Sequence, residues 1–265
     1  MRSNTLRVTV GHVRPTFITP IDCQHLDFYS TSQSNFIIHR PQLGGLDDSH
    51  LSEYYVLFGL ARSLKAKPQN YSNLCVAHYR RFVSMSKFGR TAKNQNYTQL
   101  ISSDDASEIY QSETIPPNKD WLVGRPLQLE HGGVFAQFAR HHPVNDLLRI
   151  LTAAVDSNLL SHDFLRRFVD ARYLFAAPTV GFFPIDYFVD VMSNLEEIVR
   201  LCVEGEFPKI QDGYQRRIIA FCLERIHSQI LFDYLSKAKE GSVALGYQCV
   251  VGDGDVVVAS GRNDA

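Results

Sequence analysis

The segment His78-Tyr79-Arg80-Arg81 sets two guanidinium groups side by side at the end of a short apolar run, Leu74-Cys75-Val76-Ala77. A guanidinium stays charged and donates paired hydrogen bonds to phosphate oxygens, so two at a strand end could grip a diphosphate without a metal ion. If the strand continues through them, its alternation puts His78 and Arg80 on one face and Tyr79 and Arg81 on the other. All four reach one ligand only if the strand stops by Tyr79. A plainer use for a guanidinium is to pair with a helix carboxylate such as Glu53 or Glu224, and this is expected of one of the two arginines.

Displacing a diphosphate with a hydroxyl also needs a proton acceptor, for which a histidine or carboxylate is usual. His142 and Asp146 lie four apart around Pro143, and a helix with Pro143 at its first position would turn both side chains towards one cleft. Asp146 reads equally well as a first-turn acid favoured by the helix dipole. Glu53 could bond a ligand hydroxyl or pair with an arginine. Glu224-Arg225 lies in an amphipathic segment, where a salt bridge is expected of at least one member. Asp253-Gly254-Asp255 spells the acidic pair that often holds a metal, yet its setting in an alternating segment reads more simply as a hairpin turn. His131, His141 and His142 match no ligand spacing. No metal ligands are assigned, and the need for a divalent ion stays open.

These side chains need a scaffold. Leu6 to Val10 alternates as a strand that Gly11 and Pro15 end just after His12. Phe36 to His39 reads as a second strand, and Leu51 to Leu64 has helical periodicity. Leu74 to Ala77 is apolar at every position, as in a strand buried on both faces, and open α/β sheets bind ligands beyond the carboxyl ends of such strands. Ser84 to Asn96 reads as a polar, basic loop, and Ser102 opens a short helix to about Tyr110. Helical spacing recurs over Pro143 to Asp156, His162 to Phe168, Tyr187 to Cys202 and Tyr214 to Ala238. Leu174 to Pro184 could supply a strand between them, and Val243 to Ala259 a C-terminal β-hairpin. The pattern is α/β, a Rossmann-type sheet flanked by helices with a helix-rich C-terminal half, and residues 1–265 are expected to form a single domain.

Composition narrows the function. In 265 residues, 27 basic and 28 acidic side chains give a net charge of −1, which argues against a surface built wholly for nucleic acid. The basic run from Tyr79 to Lys93 suits a phosphate-site lip or solvated loop better than a nucleic-acid tract. Five scattered cysteines suggest neither a disulfide framework nor a zinc knuckle. The start of the chain lacks the apolar core of a secretory signal, and no apolar run nears the ~20 residues of a membrane span. A cytoplasmic protein is expected, with peripheral membrane contact left open.

In this order the segments resemble a family of bacterial capsular and exopolysaccharide glycosyltransferases with a GT-A-like fold. The family's buried strand ending in His-Tyr-Arg-Arg-Tyr/Phe is matched by Cys75 to Phe82, and its aromatic-rich helix by Ser52 to Phe58. Further matches are Glu113 to Pro117, His142 to Leu147, Gly181 to Phe188 and Phe221 to Ile226. The resemblance spans roughly Leu6 to Leu235. Gly45 to His50 and Val180-Gly181-Phe182 depart from the family's pattern. It implies hexosyl transfer from a nucleotide-diphosphate donor, a UDP-sugar above all, to a saccharide, lipid-linked or small-molecule acceptor. It also implies nucleotide-sugar contacts from His12, Glu53, His78, Arg80, Arg81, Glu224 and Arg225. The alternative is a transferase-like scaffold that has lost its chemistry and binds a partner.

Overall fold

The computed structural model describes residues 5–15, 17–18, 24–27, 41–66, 71–93, 95–129, 132–209 and 212–252. In chain order the elements are β1 (Thr5–Gly11), β2 (Gln24–Asp27), α1 (Asp48–Leu51), α2 (Glu53–Ala66), β3 (Asn73–His78), β4 (Arg81–Ser84), β5 (Arg90–Ala92), β6 (Gln95–Ile101), α3 (Ser103–Glu113), β7 (Trp121–Gly124) and β8 (Leu127–Gln128). There follow α4 (Gly133–Ala139), α5 (Val144–Asp156), α6 (His162–Val169), β9 (Tyr173–Leu174), β10 (Gly181–Pro184), α7 (Ile185–Glu204), α8 (Ile218–Lys237) and β11 (Val243–Val251). A 3-10 turn, Gly213–Arg217, leads into α8.

Among the described residues one nine-stranded, mostly parallel sheet runs β2-β1-β3-β10-β7-β11-β6-β5, with β4 pairing both β3 and β11. β1, β2 and β3 are parallel, as are β7, β11 and β6, while β10 is antiparallel to β3 and β7. β3 is buried on both faces, as its apolar run implies. Leu74 and Val76 join the large core under α2 and α7, while Ala77 meets Phe82, Ile109 and Tyr110 on the α3 side. The helical spacings at α5, α6, α7 and α8 are likewise borne out.

Two readings change. Ser84 to Asn96 is not simply a loop: it contains β5 and the start of β6, which pair across a register shift at Thr91/Ala92. Short polar strands at a sheet edge carry too weak a pattern to announce themselves. Pro143 is the cap residue of α5 rather than its first helical position, so the helix starts at Val144. Val243 to Val251 is a strand of the main sheet, paired with β4, β6 and β7. The Asp253-Gly254-Asp255 turn, the rest of the hairpin, His131 and the Phe36 to His39 strand lie outside the described residues.

A half-buried ion pair, with Glu196 inside and Arg62 partly exposed, ties α2 to α7. Arg62 Nε donates to Glu196 Oε2 at 2.9 Å, a second guanidinium nitrogen meets Oε1, and Arg200 approaches that oxygen at 3.7 Å. No helix among the described residues is long and apolar enough to cross a membrane.

Candidate functional site

β3 stops at His78. Tyr79 and Arg80 make a two-residue turn, and Arg81 re-enters the sheet as the first residue of β4, directly opposite His78. Directly paired residues on antiparallel strands project from the same face. The hairpin therefore brings His78 and Arg81 together and leaves Arg80 at the tip, which a continuous strand would not. Tyr79 N–H donates to Val10 O at 3.0 Å and Val251 N–H donates to Arg80 O at 2.9 Å, so β1 and β11 both latch the turn. Gly11 allows the close approach: a Cβ built on it would lie 2.7 Å from the Cβ of Tyr79.

The turn forms one wall of a pocket of about 240 Å³. His78, Tyr79, Arg80 and Arg81 line it together with Ser52, Glu53 and Tyr54 from the start of α2, Ala176 and Ala177 from the loop before β10, and Arg217, Ala220, Phe221 and Glu224 from the approach to α8. The first turn of α2 thus faces the same space as three guanidinium groups. First-turn N–H groups are short of intrahelical partners and a helix amino terminus favours anions; of this turn, Tyr55 N–H already donates to Ser52 O at 3.3 Å. Ser52 enters that turn with φ of +55°, a strained backbone for a residue with a Cβ. A larger hollow of about 470 Å³ beside Leu64 is lined by Lys65, Asp186 and Asp190 and gathers no comparable set of cations.

The charges of the pocket are unequal. Glu224 pairs with Arg225 at 2.7 Å, and Arg225 is itself buried against Gln137 and the carbonyl of Phe221. Arg225 therefore positions Glu224 rather than lining the pocket, and the expected salt bridge of this pair is present. Among the described residues no carboxylate lies within ion-pair distance of Arg80 or Arg81, so the expected structural pairing of one of them is corrected. The physical reason is the turn, which points both arginines into the pocket mouth instead of into the α2–α8 interface. Arg80 lies over the Tyr79 ring at 5.3 Å, and Arg217 lies over Phe221 at 5.2 Å. With Glu224 matched by Arg225, these three guanidinium groups outnumber the remaining carboxylate, Glu53.

Burial pushes the Glu224 carboxyl up; Arg225 pulls it back, Glu53 pushes the same way as burial, and Arg81 and Arg217 pull against it. Burial lowers His78, Glu53 opposes that and Arg81 reinforces it. The ring is therefore neutral at pH 7, with Nε2 at 3.2 Å from Thr179 Oγ1. A neutral histidine beside Arg81 leaves the local positive charge on the guanidinium.

His12 stands beside the turn, its ring centroid 4.9 Å from that of Tyr79. The structure does not bring His142 or Asp146 to the pocket. The His142 ring packs on Phe221 at 4.2 Å, behind the pocket wall, and burial lowers its pKa to about 4. Asp146 is half-buried on α5 near Cys222, with its carboxyl raised by burial and drawn back by Arg149. Arg217, Ser52 and Phe221 are the residues that sequence reasoning missed. Arg217 follows three exposed or half-exposed residues on a 3-10 turn and belongs to no spacing pattern with Arg81. Among the described residues, no group of three or more histidine, cysteine, aspartate or glutamate side chains is placed to hold a metal ion. The described cysteines are free and buried.

The class defined by these features is a mixed α/β protein with a central, mostly parallel sheet flanked by helices and a cationic pocket beyond the carboxyl ends of β1 and β3. No family model matches the chain, and no curated protein matches it by sequence. Its fold is similar to that of WbbM, a bifunctional glycosyltransferase solved in its apo form, with a TM-score of 0.71 at 15% identity. The match covers 94% of this chain and 46% of WbbM, so the chain spans just under half the length of that protein.

Proposed function

We propose that the chain is a glycosyltransferase that binds a nucleotide-diphosphate sugar, a UDP-sugar above all, and passes the hexose to a saccharide, lipid-linked or small-molecule acceptor. The observation that carries this reading is the convergence of Arg80, Arg81 and Arg217 with the first turn of α2 on one pocket at the ends of parallel strands. Breaking a glycosyl–diphosphate bond develops negative charge on the leaving phosphate, and preorganised donors in a partly dry cleft stabilise that charge as it forms. Guanidinium groups and a helix amino terminus supply such donors from the chain itself.

At about 240 Å³ the pocket is below the roughly 300–1,000 Å³ of typical ligand sites, which suits the diphosphate and part of the sugar. The nucleoside then extends over the exposed His12–Tyr79 edge. Glu53 stands at the pocket wall where it can accept from a sugar hydroxyl. For the proton of the acceptor hydroxyl, the pocket carboxylate Glu224 is the candidate in place of Asp146 and His142, because it lines the pocket and they do not. The WbbM-like fold agrees with transferase chemistry. A melting-temperature panel with UDP, GDP and dTDP tests the proposal: one nucleotide stabilises the wild-type protein, and the doubly substituted Arg80→Ala/Arg81→Ala protein does not respond. Indifference of the wild-type protein to all three sinks it.

A further inference from the structure

Tyr214, on the 3-10 turn, is 60% exposed, the most exposed large aromatic side chain among the described residues. Three neighbours fix its ring. The His142 ring is nearly parallel to it, at 16° and 5.7 Å, the Phe221 ring lies 4.9 Å away, and the Arg217 guanidinium sits 5.5 Å from its centroid. His142 is in turn held by Gln215, whose Oε1 accepts from Nδ1 at 3.1 Å while its amide donates to the carbonyl of His141 at 2.8 Å. Phe221 and Arg217 also line the pocket, so the ring cluster runs without a break from the pocket wall to the surface.

A polar row starts from the same 3-10 turn. Arg216 Nε donates to His50 Nε2 at 3.2 Å, and His50 Nδ1 donates to Asp47 at 2.8 Å. The row holds the exposed Arg216 guanidinium by one edge, and its terminal nitrogens have no protein partner among the described residues. An exposed aromatic ring held by its neighbours, on the same turn as an oriented charged donor, suits a sugar ring: the apolar C–H face packs on the aromatic side chain and the hydroxyls bond the polar groups. Fixing these groups before binding reduces the ordering cost of association.

We propose that Tyr214 and Arg216 form the subsite for the acceptor, a pyranose ring that stacks on Tyr214 with hydroxyls on Arg216 and one hydroxyl directed into the pocket past Phe221. The proposal rests on the glycosyltransferase reading and names the substrate class for the open side of that site. In the transfer it serves, the acceptor oxygen bonds to the anomeric carbon, the bond from that carbon to the diphosphate oxygen breaks with its electron pair leaving on the phosphate, and the hydroxyl proton passes to a pocket carboxylate.

Saturation-transfer NMR on the full chain with UDP present tests it, using methyl pyranosides of glucose, galactose, mannose and N-acetylglucosamine as probes. At least one is expected to bind wild-type protein with saturation concentrated on one face of its ring. Tyr214→Ala should weaken that binding at least fivefold, Tyr214→Trp should retain it, and neither should move UDP affinity by more than twofold. Arg216→Ala should weaken it as well. Absence of binding by all four pyranosides while UDP binds overturns the subsite and leaves the donor reading intact. Unchanged binding in Tyr214→Ala overturns it too, as does an equal loss of UDP affinity, which would tie Tyr214 to the donor. Failure of UDP itself to bind removes both readings together.

Discussion

Replacing Gly11 with alanine adds one methyl group and asks whether the His78–Arg81 turn is held as tightly as its contacts imply. The new Cβ would sit 2.7 Å from the Cβ of Tyr79 and 3.2 Å from two of its ring atoms. Both Cβ atoms are bonded directly to backbone, so no side-chain rotation relieves the clash. β1 and β3 must separate by several tenths of an ångström at their carboxyl ends, straining the bond from Tyr79 N–H to Val10 O. Overpacking of this kind costs about 1–3 kcal/mol. The turn also carries Arg80 and Arg81, and a misplacement on the order of 1 Å in a positioned site can cost about a hundredfold in rate. Urea unfolding should show the stability loss, and titration with UDP a weaker affinity as Arg80 and Arg81 are displaced. In a double-mutant cycle Tyr79→Gly should cost less in the Gly11→Ala background than alone, because the clash is gone. Equal unfolding midpoints and equal UDP affinities for Gly11→Ala and wild type would refute the reasoning, as would additivity in the cycle.

Two further outcomes follow from the core. Arg62→Ala leaves the buried Glu196 carboxylate with Arg200 at 3.7 Å, and loss of its partly exposed partner should lower unfolding free energy by about 1–3 kcal/mol in chemical denaturation. His227, between the Tyr54 hydroxyl at 3.3 Å and the Tyr187 hydroxyl at 3.0 Å, is lowered by burial from 6.5 to about 3. Well above pH 6.5 it is neutral in both states and adds nothing. Below that the unfolded chain takes up a proton the folded one refuses, so stability falls with falling pH, by about 2 kcal/mol from this group at pH 5. His227→Gln should flatten the difference between the pH 7 and pH 5 unfolding free energies by that amount, and an unchanged difference would remove His227 as its source.

Much of the scaffold was legible because its signals are local. Leu74 to Ala77 is apolar at every position, and Ser102, as the cap of α3, accepts from Asp105 N–H at 3.1 Å, as its hydroxyl-then-acid order implies. The two arginines could be read as a pair for the same reason. The shape that makes them a site could not, because the turn exists only if Arg81 pairs with His78 on one side and Val250 on the other. Val250 belongs to a strand far along the chain, and nothing in Arg81-Phe82-Val83-Ser84 announces that partner. Arg217 was invisible for a related reason: its place in the pocket depends on how α8 lies against α1 and α2. His142 and Asp146 show the opposite failure. Their spacing is suggestive in one dimension, but the packing of Phe221 places a ring between His142 and the pocket.

The central claim is that guanidinium groups on the β3–β4 turn bind the diphosphate. Calorimetric titration of UDP into the wild-type, Arg80→Ala, Arg81→Ala and Arg217→Ala proteins, each checked for an unchanged melting temperature without ligand, tests it most directly. Charge-assisted hydrogen bonds are worth about 1.5–3 kcal/mol, so each substitution should weaken UDP by roughly tenfold or more. Equal affinity in Arg80→Ala, Arg81→Ala and wild type would contradict the claim.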